Sequence, residues 1–507
     1  MEENQKKCRI DKSILSKHWT VTNGCKSSCI GIDITDHDIG PEEKKTVSEH
    51  KQKFALEVDP KQSFKAKELK ICSFARPHMR SFHYSWLSNF VAIFIWFSNA
   101  PLLPEIKDTL GLTPKQIWVS NIIAICGDIV MRPFFGSLTD KFGSRILMGG
   151  LLMAASIPTA CTGLVNNFAA LCILRLLIGC AGSSFVICQT WTTRMFTKEI
   201  VGTVNALVGG WGGAGAFTQV IIGTALFPLF RDVIFKNVED PNEMAWRTVC
   251  TIPAIIAFLT GVFVIKTSDD CPEGNYKQLT MEKKMKRTSA SSSFLQGAFD
   301  YNTWLLFIHY GCCFGVELTM NNAAITYFVD RFHLGIGSAA AITSIFGIVN
   351  LFARALGGYC SDLANQRIGM KGRILIQFTF LFFQGICVIL FSLMASLWSA
   401  IMMLALMSVL TLCAEGSTFG IVPYVNSASP GAVSGLVGAG GPTFGVLFGL
   451  GFVVFDTVEH AYFSMGGLVI LGSISCLLIN IRGHGGIFHK SYNYESEEKC
   501  QPIRPEC

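Results

Sequence analysis

The chain has 507 residues, of which 50% are apolar and only 15% are charged, and its mean hydropathy is +0.42. Soluble proteins carry about 25% charged residues, so this composition excludes a disordered chain and indicates a polytopic protein of the lipid bilayer. The net charge of +6 is too small and too scattered to indicate a nucleic-acid partner, and the 19 cysteines form no cluster with metal-ligand spacing, so neither a metal nor a cofactor is predicted.

Residues 1–80 are polar and rich in lysine, without the apolar core of a signal peptide, and predict a cytosolic N-terminal tail. Apolar stretches of about 20 residues, the length that spans a bilayer, then follow in series. A charged linker at 267–300 divides them into an N-terminal six-helix half at 81–266 and a C-terminal half at 301–481, and a polar cytosolic tail follows at 482–507. The predicted spans lie near residues 82–104, 116–138, 146–166, 168–192, 202–228, 247–266, 301–328, 336–360, 374–396, 398–424, 431–455 and 461–481.

The orientation of these spans is predicted from the lysines and arginines of the short loops. Loops such as the one holding Lys141 and Arg145, together with the central linker, carry roughly twice as many of these residues as the loops between them. Positively charged loops stay on the cytosolic side, so both termini are expected to be cytosolic. The plasma membrane is the expected location.

Three sequence patterns recur in the same order in both halves. MRPFFGSLTD and ARALGGYCSD share the spacing Arg-x3-Gly-x3-Asp and lie 222 positions apart. GSSFVI, which begins at Gly182, recurs as GSTFGI 234 positions later, and GTVNALVGGWGG, which begins at Gly202, recurs as GAVSGLVGAGGP 229 positions later. An even number of spans per copy makes the halves parallel, which resembles the arrangement of major facilitator transporters. The predicted fold is therefore an all-α membrane protein with twelve transmembrane helices in two parallel six-helix halves.

Each half also carries an arginine inside the membrane. Arg132 precedes Asp140 by eight positions and Arg354 precedes Asp362 by eight, so each arginine lies about 12 Å from the cytosolic end of its span. Snorkelling, or pairing with a nearby acid, is the structural alternative, but an intramembrane arginine is a functional candidate by default. Two guanidiniums facing each other at one depth predict a central site for a planar oxyanion, whose binding would favour closure of the halves.

The segment from Gly136 to Arg145 resembles the loop signature of the major facilitator superfamily. Gly136, with Gly358 as its counterpart, is expected to allow close helix packing. Asp140 and Arg145 are expected to form a charge latch that breaks during alternating access. These four residues and Asp362 are the predicted gating residues.

Longer motifs resemble one family within that superfamily, the nitrate/nitrite porters, and within it the eukaryotic high-affinity nitrate transporters. The likeness extends from Phe74 to about Ile481 and is far more specific than the loop signature. The motifs are FARPHMRSFH (74–83), GSSFVICQTW (182–191), VGTVNALVGGWGG (201–213), DCPEGN (270–275), HYGCCFGVEL (309–318), YFVDRFHL (327–334), FARALGGYCSD (352–362) and SGLVGAGG (434–441).

This resemblance implies a set of binding residues. In the family, one arginine from each half clamps nitrate, which corresponds to Arg132 and Arg354 here. An aromatic residue of the fourth span and a Tyr-x3-Phe pair of the seventh line the site, and they correspond to Phe185, Tyr310 and Phe314. The resemblance also implies symport with protons.

The sequence departs from the family pattern at three positions. The glycine-rich motifs of the family usually end in asparagine, and this chain has Gly213 and Pro442 there, so an amide side chain is missing from each half. Asp128 stands four positions before Arg132, on the same helix face, where a small polar residue is usual. An Asp128–Arg132 pair would neutralise part of one clamp, so relaxed affinity or another small anion is an open alternative.

Three residues are candidates for proton coupling. Glu317 is the acid in the middle of the seventh span and is the first candidate, since burial favours the protonated form of a carboxyl group. Its structural alternative is a hydrogen bond to Asn321 or Asn322. His309 is the second candidate, with a packed core position as its alternative, and Asp128 is the third.

The sequence thus predicts a secondary active transporter for a small inorganic oxyanion, nitrate or nitrite, by alternating access with proton symport. An inside-negative potential opposes anion entry by about 2.3 kcal/mol per charge and 100 mV, and two protons per anion would reverse that penalty. An exchanger or uniporter for another small anion stays open, as does a nitrate sensor or partner-dependent subunit that does not transport. A small accessory membrane protein is a further open partner. An enzyme is not expected, because no nucleophile–base pair appears in the sequence.

Overall fold

The computed structural model describes residues 54–282, 289–455 and 457–488. The first 53 residues of the predicted N-terminal tail, residues 283–288 of the linker and the C-terminal tail from residue 489 lie outside the described residues. Within them, the chain is almost entirely helical.

Eleven helices of the described chain are long and apolar enough to cross a membrane, and one more, Tyr301–Phe332, has spanning length. That helix carries polar side chains such as His309 and Glu317 along its length, which lowers its hydropathy. The twelve helices, numbered α1–α12, are His78–Leu110, Lys115–Phe142, Ser144–Leu164, Phe168–Met195, Val201–Ile234, Pro241–Thr267, Tyr301–Phe332, Ala341–Ile368, Met370–Ser392, Leu397–Val425, Pro430–Val454 and Val458–Leu478.

Each predicted span corresponds to one of these helices, and the boundaries differ by a few residues. The end of α8 differs most: its predicted end is residue 360, whereas the helix continues to Ile368. The helix passes beyond the apolar stretch through Asp362 and Arg367, so hydropathy underestimates its length. In α5, a regular helix ends at Gly213 and is followed by one 3₁₀ and two π segments up to Ile234.

The two halves pack against each other through repeat-related helix pairs. Helix α2 packs against α11, and α8 packs against α5. A Cβ atom on Gly136 would collide with the carbonyl of Gly431, and a Cβ atom on Gly358 would collide with the carbonyl of Gly202. Glycine at these two positions therefore lets helices of opposite halves cross in contact.

Parts of the predicted tails and linker are folded. The compact unit begins at Phe54, and strands β1 (Val58–Asp59) and β2 (Lys65–Ala66) pair antiparallel. Ala66 forms a bridge to Phe196, directly after α4. The linker contains two short helices, and a second hairpin follows α12; these elements are Tyr276–Met281, Ala290–Ala298, β3 (Asn480–Ile481) and β4 (Gly485–Gly486).

Candidate functional site

Arg132 lies in the middle of α2 and is 1% exposed. Its Nε donates a hydrogen bond to Oδ1 of Asp128, 2.8 Å away and one turn earlier on the same helix. Its Nη1 donates to the carbonyl oxygen of Gly438 on α11 at 2.7 Å. The pair with Asp128 is the one that the spacing of four residues predicts. Arg132 thus connects the two halves while an acid of its own helix balances its charge.

Arg354, its counterpart on α8, faces two acids. Its Nη2 lies 3.5 Å from Oε2 of Glu317 on α7 and makes a shorter contact with Glu415 on α10. Asn350, one turn before Arg354, donates from Nδ2 to the other oxygen of Glu317 at 3.2 Å. All four side chains are buried. Glu317 therefore bonds across helices to Asn350 and Arg354, whereas the structural alternative was a bond along α7 to Asn321 or Asn322.

The glycine-rich helices contact the arginine of the opposite half. The Cβ position of Gly209 on α5 lies 3.1 Å from Nη1 of Arg354, and that of Gly438 on α11 lies 3.7 Å from Nη1 of Arg132. Gly209 and Gly438 are equivalent in the repeat of 229 positions. A larger residue at Gly209 would crowd the guanidinium of Arg354, so glycine at this position leaves room for that side chain.

Three stacked aromatic side chains lie beside the arginines, and one of them, Phe185, contacts both. The ring centre of Phe185 on α4 is 5.4 Å from Cζ of Arg132 and 5.8 Å from Cζ of Arg354. Tyr310 on α7 stacks on Phe185 at 5.7 Å and on Phe314 at 5.4 Å. Arg132 also lies over the Phe314 ring at 5.5 Å. The structure therefore brings together the five residues that the family resemblance indicates, and cation–π contacts stabilise the two cations.

Sequence reasoning missed three members of this cluster. Glu415 is an isolated acid within the apolar helix α10, and that isolation was the available signal. Phe419 packs edge-on against Phe185 at 4.9 Å and is its counterpart in the repeat of 234 positions. Asn350 is the counterpart of Asp128 in the repeat of 222 positions. Comparing the two copies residue by residue would have indicated the last two.

Four buried polar atoms of the cluster lack a hydrogen-bond partner among the described residues. They are Oδ2 of Asp128, Nε of Arg354, Oδ1 of Asn350 and Oε1 of Glu415. Buried polar atoms are nearly always paired in folded proteins. A carboxylate oxygen without a donor can take up a proton, and an N–H without an acceptor can bind an anion. The cluster thus contains groups that can take up a proton and a group that can bind an anion.

The two departures from the glycine-rich motifs lie at the border of the cluster. A Cβ atom on Gly213 would lie 3.4 Å from Nδ2 of Asn350, an ordinary van der Waals distance. Pro442 is buried within α11, which continues through it as a helix. The neighbouring Gly441 is so close to Phe314 that a Cβ atom would collide with the ring. Gly213 thus lies beside Asn350, in the polar part of the cluster. Pro442 directly follows Gly441, which lies against Phe314 in the aromatic part.

His309 does not join this cluster. Its Nε2 lies 2.8 Å from Oγ of Ser475 and 3.5 Å from Sγ of Cys476 at the end of α12. The side chain is completely buried. Its hydrogen bond and burial match the packed core position that was the alternative to proton coupling.

Asp140 connects the halves at one end of the bundle. Its carboxylate accepts hydrogen bonds from the backbone N–H groups of Gly431 and Ala432, both at 3.0 Å, at the N-terminus of α11. Arg194 at the end of α4 donates to the same carboxylate at 2.8 Å. An acid is stabilised at a helix N-terminus by the helix dipole.

Asp362 makes the equivalent contact from the second half. It accepts hydrogen bonds from the backbone N–H groups of Gly202 at 3.0 Å and Thr203 at 2.6 Å, at the N-terminus of α5. Arg373 donates to Asp362 at 2.7 Å. Since Asp140 and Asp362 each hold a helix of the opposite half, the bundle is closed at the end where they lie.

The predicted latch between Asp140 and Arg145 does not form. Asp140 pairs with Arg194, whereas the backbone N–H of Arg145 donates to Asp270 of the linker at 2.9 Å. Gly143 adopts a φ of +87° between α2 and α3, and this turn directs Arg145 away from Asp140. Arg145 therefore fixes the linker, and the link between the halves depends on Asp140 itself.

The sequence matches the Major Facilitator Superfamily over residues 85–450. High affinity nitrate transporter 2.5 of Arabidopsis thaliana is 32% identical over 451 residues, which cover 89% of this chain and 88% of that protein. Nitrate transporter 2.1 of Chlamydomonas reinhardtii is 36% identical over 385 residues, which cover 75% and 69%. Among solved structures, a bacterial homologue of the iron transporter ferroportin in an outward-facing state has a similar fold, with a TM-score of 0.59 and 13% identity over 79% of this chain and 99% of that one.

Proposed function

This chain belongs to the nitrate/nitrite porter family of the major facilitator superfamily, and on that premise we propose that it transports nitrate by alternating access with proton symport. Nitrite is the second substrate in this proposal. The chain is a multi-pass membrane protein of a transporter family and not an enzyme. We place it in the plasma membrane with cytosolic termini, on the charge of its loops.

The observation that carries the proposal is the position of the two arginines. Arg132 and Arg354 come from different halves and contact the same ring, Phe185, in the buried centre of the bundle. A small planar anion beside that ring can accept hydrogen bonds from both guanidiniums. Such an anion would bind best when the halves are close together, which is what alternating access requires.

Proton coupling follows from the acids that hold these arginines. Nitrate competes with Glu317 and Glu415 for the charge of Arg354, and with Asp128 for the charge of Arg132. Protonation removes the charge of the acid and releases the guanidinium, and a buried cation without a counter-ion is strongly unfavourable. Nitrate restores neutrality, so each bound proton strengthens anion binding, and each anion strengthens proton binding.

The charges of the cluster favour two protons per nitrate. Two arginines face three carboxylates, so one acid at Arg354 is protonated when the cluster is neutral. Nitrate entering with one proton at Glu317 or Glu415 preserves this neutrality. A second proton, on Asp128, releases Arg132 to share the anion. The loaded carrier then moves one net positive charge inward, and the potential drives uptake by about 2.3 kcal/mol per 100 mV.

Nitrate-evoked current in voltage-clamped cells tests this proposal. We expect an inward current that saturates with nitrate and grows when the external pH is lowered from 7.5 to 5.5. An anion uniporter would give the opposite sign, and an exchanger would give a flux that needs an internal anion. Equilibrium nitrate binding without flux would identify a sensor or a subunit that needs an accessory membrane protein. Any of these three results would contradict proton symport by this chain alone.

A further inference from the structure

A pocket of about 290 Å³ lies at the end of the bundle that Asp140 closes. Segments of both halves line it. The first half contributes the hairpin β1–β2, the end of α4 and the loop after α4, and the linker adds further residues. The second half contributes Pro423 of α10, Ser427 of the loop after α10 and Pro430 at the start of α11. The pocket therefore exists in this form only while the halves are together at this end.

Cations outnumber acids in the lining of the pocket. Three cations line it, Lys65, Arg194 and Lys198, against one acid, Glu273. Lys65 donates from Nζ to the carbonyl oxygen of Thr193 at 2.8 Å, and Lys198 donates to Oγ of Ser427 at 3.1 Å. Neither lysine makes an ion pair with an acid within the described ranges.

Arg194 is paired with Asp140, and two further observations describe what the cations of the pocket still lack. Nε of Arg194 is buried and has no hydrogen-bond partner in the described part of the chain, although another guanidinium nitrogen binds Asp140. Burial, with Arg194 and Lys198 nearby, lowers the pKa of Lys65 to about 8. Cys271 and Glu199 are the other ionisable groups that face Lys65, and they offset this effect only in part.

We infer that this pocket binds a free, doubly charged oxyanion of the sulfate or phosphate class, at a site separate from the two arginines of the centre. The two ammonium groups can approach such an anion as point charges, and the free N–H of Arg194 can donate a directed hydrogen bond. The hydroxyl group of Ser427 is the donor or acceptor that the second half adds.

The bound anion would inhibit transport. This consequence rests on the proposed function and orientation, whereas the binding itself does not. Pro430 of the pocket directly precedes Gly431, whose N–H binds Asp140. An anion that requires both halves of the pocket binds only the conformation closed at this end. At ten times its Kd, it would reduce the unbound, freely cycling fraction about tenfold. On the proposed orientation, the anion acts from the cytosol.

Calorimetric titration of the purified full chain with sodium sulfate in neutral detergent tests the site, because sulfate keeps its charge between pH 6 and 9. We expect saturable binding whose affinity falls at least tenfold in Lys65→Gln and in Lys198→Gln. Lys67→Gln is the matched control, since Lys67 lies on the same hairpin and its exposed side chain pairs with Glu57. Binding should weaken from pH 7 to pH 9 as Lys65 loses its proton, and Lys65→Arg should keep it at pH 9.

Absence of saturable sulfate binding, or equal affinity in Lys65→Gln and Lys67→Gln, would overturn the inference. The rescue by Lys65→Arg separates a lost charge from a misfolded hairpin. Sulfate should also bind normally to Arg132→Lys, in which the central site is altered. Nitrate transport with no sulfate binding would refute only this site, and sulfate binding with no nitrate transport would refute only the proposed function.

Discussion

Replacing Glu415 by glutamine removes one ionisable group from the central cluster and preserves its shape. In the wild type, nitrate must displace a carboxylate from Arg354, and Glu415 makes the closer contact. A hydrogen bond between charged partners contributes about 1.5–3 kcal/mol, against about 0.5–1.5 kcal/mol for a typical neutral one. Displacement should therefore become easier by roughly 1–1.5 kcal/mol, which is about tenfold tighter nitrate binding at pH 7.5.

The same variant should keep the pH dependence of the wild type. Each proton that binds together with the anion changes the apparent affinity up to tenfold per pH unit, or about 100-fold between pH 5.5 and 7.5. Affinity rises as the pH falls, because protonation releases the guanidinium. One of the two acids at Arg354 is already protonated in the neutral wild-type cluster, so Glu317 alone can take up the proton that enters with nitrate in Glu415→Gln.

Nitrate uptake into proteoliposomes, measured as a concentration series at both pH values, gives the half-saturation concentration and its slope. Glu459→Gln is the matched control, because Glu459 pairs with Arg331 at 3.0 Å and is partly exposed to solvent. If Glu415→Gln showed the same half-saturation concentration as this control, displacement of an internal carboxylate by nitrate would be refuted.

Three further substitutions test other parts of the account. Glu317→Gln should remove the inward current or its pH dependence yet retain nitrate binding, and unchanged pH-driven accumulation would exclude Glu317 as proton carrier. Gly213→Asn should lower the half-saturation concentration two- to tenfold at matched expression, because its Cβ meets only Asn350 at 3.4 Å and one regained hydrogen bond contributes about 0.5–1.5 kcal/mol. Asp140→Asn should weaken closure and slow uptake, since both the N-terminus of α11 and Arg194 lose the charge that they face. Uptake at the wild-type rate in Asp140→Asn, at matched expression, would contradict its role at the end of the bundle.

The positions of the helices and of the two central arginines could be predicted from the sequence, because hydropathy and the internal repeat both report them. Hydropathy located the spans, and the repeat placed Arg132 and Arg354 at one depth in opposite halves. The spacing of four residues also predicted the pair of Asp128 and Arg132, since both lie on one face of α2. Information of this kind is local or comes from comparing one half with the other.

Contacts between helices of the same half were harder to predict from the sequence. The contact of Arg354 with Glu415 depends on how α8 and α10 are rotated against each other, which no spacing within either helix reports. The partner of Arg145 was missed because the turn at Gly143, with its positive φ, decides where that side chain points. The hairpin β1–β2 was not predicted, because it lies in a polar segment and pairs with Phe196, which is distant in the sequence.

Equilibrium binding of nitrate to the purified variants Arg132→Lys and Arg354→Lys tests the central claim most directly. Lysine keeps the charge and loses the planar fork of donors, so we expect saturable nitrate binding to disappear in each variant. Arg331→Lys, at an exposed pair, is the matched control and should bind as the wild type does. Near-normal nitrate affinity in either central variant, with the protein folded, would contradict a site built from one arginine of each half.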